Sequence, residues 1–395
     1  MDFPKPKIPT QAVLSGSGFS LKKQPPDFPS ILDANHNVFV TSGRIAITLA
    51  LMDAKVGDGD AVMVPAYHCS SMIEPVIQVN ARPVFYRINE DTSVDFQDLV
   101  KKCSPDVKAI LGTHYFGFPQ DLGSLRHLCD QRGIVLIEDC AHAFFGTLGK
   151  HSIGTIGDYS IASIMKFFPV YDGGCLASRN PLDFPEITSA GRGFEIKSIL
   201  NTVENSLYYG RLASLGLFLK PPLRLKDLLW ERFKKRRSQS GGNIPLAPGS
   251  SDGGYGLDAN WLDKSMSRFS RYVMDHSNHR KIVEARRYNF LRIHEKLSTL
   301  PNCEPLFEAL PEHVVPYVYP LKVQNPQGVF HLMKKEGIPI IRFGEFLWNG
   351  VDESICPNSV YLSKTVFQFP CNQALTDTEI NWMTNLIAEI ITNNA

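Results

Sequence analysis

Two ionisable residues lie where apolar segments end. A charged side chain at such a position often has a functional role. Asp139 ends the run IVLIED, and Lys166 follows the run YSIASI 27 residues later. A lysine amine can form a Schiff base with a carbonyl group, and a carboxylate can keep a ring nitrogen protonated. Each residue alone is more often a strand-ending acid or a surface lysine, so the inference depends on the pair. Together they are the two groups that a pyridoxal-phosphate (PLP) enzyme needs.

The segments around this pair alternate between short apolar runs and helical patterns. Gly and Pro bracket most of the runs, which favours strands over buried helix segments. Such alternation predicts a largely parallel sheet covered by helices, and ligands of these sheets bind at the carboxyl ends of the strands. The predicted strands cover residues 38–40, 61–65, 82–86, 108–114, 134–139, 159–164 and 174–178, and two predicted helices cover 44–54 and 121–133.

The length of 395 residues predicts more than one domain. We expect an irregular N-terminal arm over 1–36 and a large domain over 37–256. A long linking helix, patterned over about 258–297, and a small α/β domain would complete 257–395. The small domain has strand candidates in VVPYVYPLKV and TVFQFP, and Thr376 with Glu379 predicts a capping box on its last helix. Residues 195–255 break the rhythm and are interpreted as an insertion.

Composition excludes several classes of function. A formal net charge of +1 gives no reason to expect nucleic acid as a partner. The eight cysteines are scattered without metal-ligand spacing, so we expect free thiols and no metal site. The first residues lack the apolar segment of a secretory signal, and no apolar run approaches the roughly 20 residues that span a bilayer. We therefore expect a cytoplasmic protein.

Six blocks between Thr41 and Ser178 resemble, in order, those of the DegT-type sugar aminotransferases. TSGRIAITLAL is similar to the family's helix start S-G-T-A-A-L, and VGDGDAVMVPAY to its G-x-G-D-E-V-I-V-P. ARPVFYRINEDTSVDFQDL, THYFGFPQDL, LIEDCAHAFFG and the stretch from GDYS to DGGCLAS resemble its further blocks. HRKIVEARRYNFL, EGIPI and VFQFPCNQALTDTEI are similar to its closing motifs.

This resemblance implies an α/β fold, the aspartate-aminotransferase-like fold type I of PLP-dependent transferases. It has a mostly parallel seven-stranded sheet in a large domain and a smaller C-terminal α/β domain. The family works as homodimers with the active site at the subunit interface, so a homodimer is implied here too.

The resemblance also assigns roles to residues at matching positions. Lys166 matches the lysine that holds PLP as a Schiff base, and Asp139 matches the partner of the pyridinium nitrogen. Ser163 is expected to bind the phosphate, although many family members place this serine five residues before the lysine rather than three. Phosphate is also expected at the predicted helix start, where N–H groups are free; these residues are Gly43, Arg44 and Ile45.

Three positions depart from the family pattern. Arg44 replaces the usual Thr, and it could either bind phosphate or point to solvent. His142 replaces the usual Gln, and its imidazole could contact the ring hydroxyl instead. Cys69 stands where the family has the aromatic residue over the PLP ring. Either Tyr67 or His68 could stack there in its place, and His68 is preferred.

The implied reaction moves an amino group from an amino acid, glutamate in most family members, to a keto sugar, which we expect to be nucleotide-linked. This would serve amino-sugar or polysaccharide biosynthesis. Lys166 would also act as general base and acid. Arg342 is a candidate for binding a substrate carboxylate or diphosphate, although an arginine at a strand end is the commoner explanation. Two alternatives stay open: another PLP reaction (dehydratase, lyase or racemase), and a non-catalytic regulator that binds PLP or a sugar nucleotide.

The insertion contains a strongly basic segment, residues 220–237, with eight basic and two acidic side chains. With the apolar residues before it, the segment 205–237 could contact an anionic membrane surface peripherally. It could equally clamp a nucleotide diphosphate or cover a dimer surface. A solvated charged face is the commonest role of such a segment.

Overall fold

The structure is a computed structural model, and it describes residues 3–16, 18, 22, 27–184, 186–212, 247–248, 251 and 256–394. The basic segment 220–237 and most of the apolar stretch before it lie outside these residues, and the membrane contact predicted for them stays a prediction. Within the described ranges, no helix is both long and apolar enough to cross a bilayer.

The first half of the chain builds a seven-stranded sheet and a small hairpin. The strands are β1 (His36–Val40), β2 (Ala61–Pro65), β3 (Arg82–Tyr86), β4 (Val107–Thr113), β5 (Val135–Asp139), β6 (Thr147–Leu148), β7 (His151–Ser152), β8 (Tyr159–Ser163) and β9 (Gly174–Ser178). The sheet order is β1-β9-β8-β5-β4-β2-β3, while β6 and β7 pair separately. Strands β8, β5, β4, β2 and β3 pair in parallel, whereas β9 pairs antiparallel with both β8 and β1 and therefore runs opposite to the other six strands of this sheet. This is the predicted fold class.

Helices cover this sheet and continue into the second half of the chain. They are α1 (Gly43–Asp53), α2 (Ser70–Gln78), α3 (Phe96–Lys102), α4 (Gly123–Arg132), α5 (Arg192–Tyr208), α6 (Arg268–Asp275), α7 (His279–Leu297), α8 (Pro326–Lys335), α9 (Pro357–Thr365) and α10 (Asp377–Asn394). Strands β2 and β9, each one position in from an edge of the sheet, are buried along their whole length, as expected where helices cover both faces of a sheet.

A second, antiparallel sheet forms the core of the smaller unit. Its strands are β10 (Cys303–Pro305), β11 (Val318–Val323), β12 (Ile341–Arg342) and β13 (Val366–Pro370), in the order β10-β11-β13-β12. The predicted capping box is confirmed on α10, since the Glu379 N–H donates to Thr376 Oγ1 (3.3 Å) and the Thr376 N–H donates to Glu379 Oε2 (2.8 Å).

The secondary structure confirms the predicted strands of the large sheet to within two residues at either end. The prediction of a single long helix over 258–297 is wrong, because the helix is interrupted between α6 and α7. Asn278 is the reason: its backbone is extended, and its side-chain oxygen accepts the N–H of Lys281 as the N-cap of α7.

Residues 3–16 of the N-terminal arm lack helix and strand and contact both units, whereas the last part of the arm contains a short 3-10 turn, Ile31–Asp33. The Lys7 N–H donates to Gly337 O (2.9 Å) in the small unit, and the Leu14 N–H donates to Ser206 Oγ (2.9 Å) on α5. The arm therefore ties the two units together. The exact domain boundaries stay a prediction.

Candidate active site

One cavity of ≈ 140 Å³ lies at the carboxyl ends of the parallel strands. A hydrocarbon cavity of about this volume holds one six-membered ring. The expected residues that line it come from β5, β8, the start of α1 and the turn after β8; they are Gly43, Arg44, Asp139, His142, Ser163 and Lys166. The structure therefore brings together six of the expected residues, which lie up to 123 positions apart in the sequence.

Lys166 reaches the cavity from a short 3-10 turn, Ile164–Lys166, that directly follows β8. Its Nζ lies 5.6 Å from the centre of the Tyr317 ring, so an aromatic face covers part of the amine. Burial lowers the pKa of the Lys166 amine, against the opposing influence of Cys69 and Asp139. A lysine with a lowered pKa is neutral more often near pH 7, which makes it a better nucleophile.

Asp139 is the last residue of β5 and is almost completely buried. Its Oδ1 accepts the Ala141 N–H (2.9 Å), which fixes the carboxylate in place. Burial raises the pKa of Asp139, while the Ala141 N–H and the Lys166 charge act in the opposite direction. A carboxylate in such a setting gains most from a cationic partner inside the cavity.

His142 lies three residues beyond Asp139, and the Phe116 N–H donates to its Nδ1 (3.4 Å). The imidazole is stacked on the Tyr317 ring with centroids 4.8 Å apart. Burial lowers the pKa of His142 well below its ordinary value, and the Lys166 charge acts in the same direction. The ring is therefore neutral, and because Nδ1 accepts, the proton lies on Nε2 and is available as a donor.

The first turn of α1 lies against the end of β8. An added Cβ on Gly43 would meet the Ala162 carbonyl at 3.5 Å and Ser163 Cβ at 3.7 Å, so the two cavity residues Gly43 and Ser163 are neighbours. Gly174 makes this approach possible, since any Cβ there would come within 2.3 Å of the Ser42 backbone. Hydroxyl and N–H donors therefore converge at a helix N-terminus, which suits an anion such as phosphate.

Ile45 and Arg44 make contacts other than those expected of phosphate ligands. The Ile45 N–H donates to Ser42 Oγ (3.5 Å), and the residue does not line the cavity. Arg44 Nη1 forms an ion pair with Glu74 (3.0 Å), and Nη2 donates to Ser71 Oγ (2.9 Å). The guanidinium thus does not point to solvent. Its positive charge is neutralised by the Glu74 carboxylate of α2, so it is not free to bind another anion.

Tyr67 and His68 do not line the cavity. Neither ring is therefore in the position expected for stacking on the cofactor. The Trp348 N–H donates to His68 Nε2 (3.0 Å), and His68 Nδ1 contacts the Pro65 carbonyl (3.1 Å). Its ring stacks on Phe85 instead, with centroids 5.1 Å apart. Tyr67 is fully buried and packs edge-on against Phe343. Cys69, two residues beyond Tyr67, lines the cavity.

Arg342, expected as a substrate ligand, also lies away from the cavity. It forms an ion pair with Glu345, three residues on, and its guanidinium lies 4.4 Å from the centre of the Phe330 ring. Its neighbour Phe343 does line the cavity and was not expected. Nothing in the local pattern IPIIRFGEF distinguishes Phe343 from an ordinary core residue.

One group of potential metal ligands occurs among the described residues, namely His114, Glu138 and Cys140, whose ligand atoms lie within 4.8 Å of one another. The Glu138 carboxylate already accepts the Gly154 N–H (2.7 Å) and the Ile156 N–H (3.0 Å), and it contacts His114 Nε2 (3.0 Å). These contacts explain the group as a structural hydrogen-bond network. The cysteines are free thiols, as predicted.

Comparison with protein families gives one match over part of the chain. Residues 18–189 match the family model described as the DegT/DnrJ/EryC1/StrS aminotransferase family. The matched residues include Gly43, Asp139, Ser163 and Lys166.

Curated relatives also match part of the chain. A GDP-perosamine synthase of Vibrio cholerae is 31% identical over 172 residues, which is 43% of this chain and 47% of the relative. An L-glutamine:2-deoxy-scyllo-inosose aminotransferase of Streptomyces kanamyceticus is 35% identical over 150 residues, 37% of this chain and 35% of the relative. The matched region thus spans about half the length of these relatives or less.

Solved structures match nearly the whole fold. The aminotransferase TlmJ of Streptoalloteichus hindustanus has a TM-score of 0.64 at 20% identity, covering 90% of this chain and 86% of that one. An aminotransferase from Psychrobacter cryohalolentis has a TM-score of 0.60 at 17% identity, covering 92% and 89%. At these identities the likeness establishes the fold, including the smaller unit that the family match leaves out.

Proposed function

We propose that this chain is a PLP-dependent aminotransferase of the DegT/DnrJ/EryC1/StrS family and that it acts on a keto sugar; the match of residues 18–189 to that family's model supports the proposal. One observation carries the proposal. A desolvated lysine, a buried carboxylate and a neutral imidazole line a single cavity of ≈ 140 Å³ at the strand ends.

The residues of the cavity fit PLP by their chemistry. Asp139 is buried and lacks a cation bonded to it among the described residues, and a protonated pyridine nitrogen would supply one. The Nε2–H of His142 can donate to the ring hydroxyl. Ser163 and the first N–H groups of α1 can bind the phosphate, whose charge the helix N-terminus favours. When bound, PLP would withdraw electrons from the substrate carbon that loses a proton.

Lys166 would have two tasks at this site. Its neutral amine would bind the cofactor covalently, and the same Nζ would later accept and return the proton that moves during transamination. The lowered pKa serves both tasks, because a general base works best when its pKa is close to the operating pH. The Tyr317 ring beside Nζ excludes water from that side of the amine.

For the substrates, we propose glutamate as the amino donor and a nucleotide-linked keto sugar as the acceptor. The GDP-linked sugar in the name of the Vibrio cholerae relative supports the acceptor class. The cavity accommodates a single ring, so the nucleotide part of the acceptor would have to lie outside its mouth. We further propose that the enzyme is a cytoplasmic homodimer of amino-sugar or polysaccharide biosynthesis.

The test is a visible absorption spectrum of the purified protein with PLP, before and after addition of L-glutamate or L-glutamine. Lys166→Ala is the inactive variant. Lys150→Ala, which removes an exposed lysine, is the matched control. We expect wild type and Lys150→Ala to show the visible band of lysine-bound PLP and to lose it on addition of donor.

Each outcome has a separate meaning. A wild type that binds no PLP would refute the proposal. Binding without any response to an amino donor would favour a regulator, or another PLP reaction such as a dehydratase, lyase or racemase. A ¹⁵N-labelled donor separates these cases, because only transamination moves the label to the acceptor.

A further inference from the structure

A buried arginine lies directly behind the turn that carries Lys166. Arg286 belongs to α7 and is completely inaccessible to solvent. Its Nη2 donates to the carbonyl oxygen of Lys166 (2.8 Å), and its guanidinium lies 4.6 Å from the centre of the Phe167 ring. The cation therefore contacts the backbone of the lysine and the side chain of the residue that follows it.

The remaining donors of Arg286 bind a different part of the chain. Nη1 donates to the carbonyl oxygens of Tyr317 (3.1 Å) and Pro316 (3.3 Å), just before β11. Tyr317 is the residue whose ring covers Lys166 Nζ and stacks on His142. One guanidinium thus holds both the backbone of Lys166 and the backbone of the aromatic residue beside its amine.

Gln373 completes the arrangement from the loop after β13. Its Oε1 accepts the Nε–H of Arg286 (2.9 Å), and its Nε2 donates to the carbonyl oxygen of Phe167 (2.7 Å). The carbonyls of two consecutive residues, Lys166 and Phe167, are therefore each held by a side chain from the second half of the chain. We call Arg286 and Gln373 the carbonyl clamp.

A buried arginine such as the one in the carbonyl clamp is an energetically unfavourable core residue. Removing a guanidinium from water carries a large desolvation cost, and among the described residues Arg286 has only neutral oxygen acceptors and no carboxylate partner. Burial lowers its pKa to about 10, so the group still carries its charge at neutral pH. An apolar side chain would fill the same space without this cost but could not direct carbonyl groups.

We propose that Arg286 and Gln373 are positioning residues that fix the reach and desolvation of Lys166 Nζ in the cavity. The importance for catalysis rests on the function proposed above, whereas the effect on the amine itself does not. Misplacement of a reacting group by about 1 Å can cost about 100-fold in rate, so a loosened 3-10 turn should be measurable.

Two variants test the carbonyl clamp, and a third is the matched control. Arg286→Lys keeps the charge, but one ammonium cannot bind all four acceptors. Gln373→Glu keeps an acceptor for Arg286 and replaces the donor to Phe167 with a carboxylate oxygen, so it guards against a misfolded Arg286 variant. Arg287→Lys is the control, because this neighbouring arginine also binds backbone carbonyls, those of Pro311 and Val314, away from Lys166.

The first measurement uses no cofactor. Apo protein is labelled with acetic anhydride across a pH series, and mass spectrometry follows the modification of Lys166. We expect both clamp variants to move the labelling midpoint of Lys166 to higher pH, because the released amine becomes better hydrated. The Arg287→Lys control should label like wild type, and circular dichroism confirms that each variant is folded.

The second measurement follows PLP capture by the visible band and the kcat and KM of amino transfer. We expect the clamp variants to capture PLP and turn over about 100-fold more slowly, with KM for the donor little changed. Folded clamp variants that match wild type in both labelling and capture would overturn the inference. Wild type that captures no PLP would instead refute the proposed function, and the labelling comparison would still decide the inference.

Discussion

The strongest quantitative prediction concerns His68 and acid unfolding. His68 joins the end of β2 to the loop of the small unit through the Trp348 N–H, and it is completely inaccessible to solvent. Burial lowers its pKa to about 4, against the hydrogen bonds with the backbone of Pro65 and Ala66. Protonation would also remove the lone pair that accepts the Trp348 N–H, so the folded protein keeps this ring neutral.

The loss of stability at low pH that results from keeping His68 neutral follows from proton linkage. A histidine in the unfolded chain titrates near pH 6.5, so below that pH the unfolded state takes up a proton that the folded state refuses until about pH 4. The stabilisation is thus complete above pH 6.5 and is lost as the pH falls towards 4, by about 1.4 kcal/mol per pH unit. Between pH 7 and pH 5 the loss amounts to about 2 kcal/mol.

Urea unfolding of the apo protein at pH 7 and pH 5 measures this loss. We compare wild type with His68→Gln, which cannot titrate, and with His127→Gln, which removes an exposed histidine. His68→Gln should be less stable than wild type at pH 7, yet its free energy of unfolding should fall by about 2 kcal/mol less on going to pH 5. The exposed-histidine control should show the same fall as wild type.

Equal falls for wild type and His68→Gln would refute the reasoning. That result would mean that His68 is hydrated or protonated in the folded protein, and that the loop around Trp348 is not fixed by a neutral imidazole.

Three further predictions concern the site. On the proposed function, Asp139→Asn should lower the rate of amino transfer by about 100-fold, since the pyridinium would lose its anionic partner, whereas PLP binding measured by equilibrium dialysis should change much less. Gly174→Ala should destabilise the protein by about 1–3 kcal/mol in thermal or urea unfolding, because the new Cβ overlaps the Ser42 backbone, whereas Gly57→Ala, with its nearest neighbour at 3.8 Å, should be tolerated. Arg44→Met should cost about 3 kcal/mol by leaving Glu74 without its cation, and Arg44→Met combined with Glu74→Leu should recover part of that loss.

The fold class and the central pair of the site were accessible from the sequence because both leave local signals. Buried strands of a parallel sheet are short apolar runs bounded by Gly and Pro, and most strands of the large sheet have that appearance. Asp139 and Lys166 end or follow such runs, so their position at the carboxyl edge of the sheet follows once the strands are recognised.

The roles of the residues next to these runs were less accessible. Arg44 begins a helix in the sequence pattern, but its partner Glu74 comes from α2, and the carbonyl of Gly256 that it also binds lies 212 positions away. His68 looks like a cavity residue until Trp348, 280 positions on, is seen to occupy its Nε2. Local patterns show that a side chain is near the strand end, but they do not show which way it points.

The sequence by itself therefore determined the strand–helix alternation, the family blocks and the lysine–aspartate pair, because each depends on neighbours along the chain. Only the tertiary structure decided which flanking side chains face the cavity. It also revealed the carbonyl clamp, in which Arg286 reaches Lys166 across 120 positions. The physical reason is that a buried polar group must be matched with partners in space, and those partners are set by the packing of the two units rather than by their order in the chain.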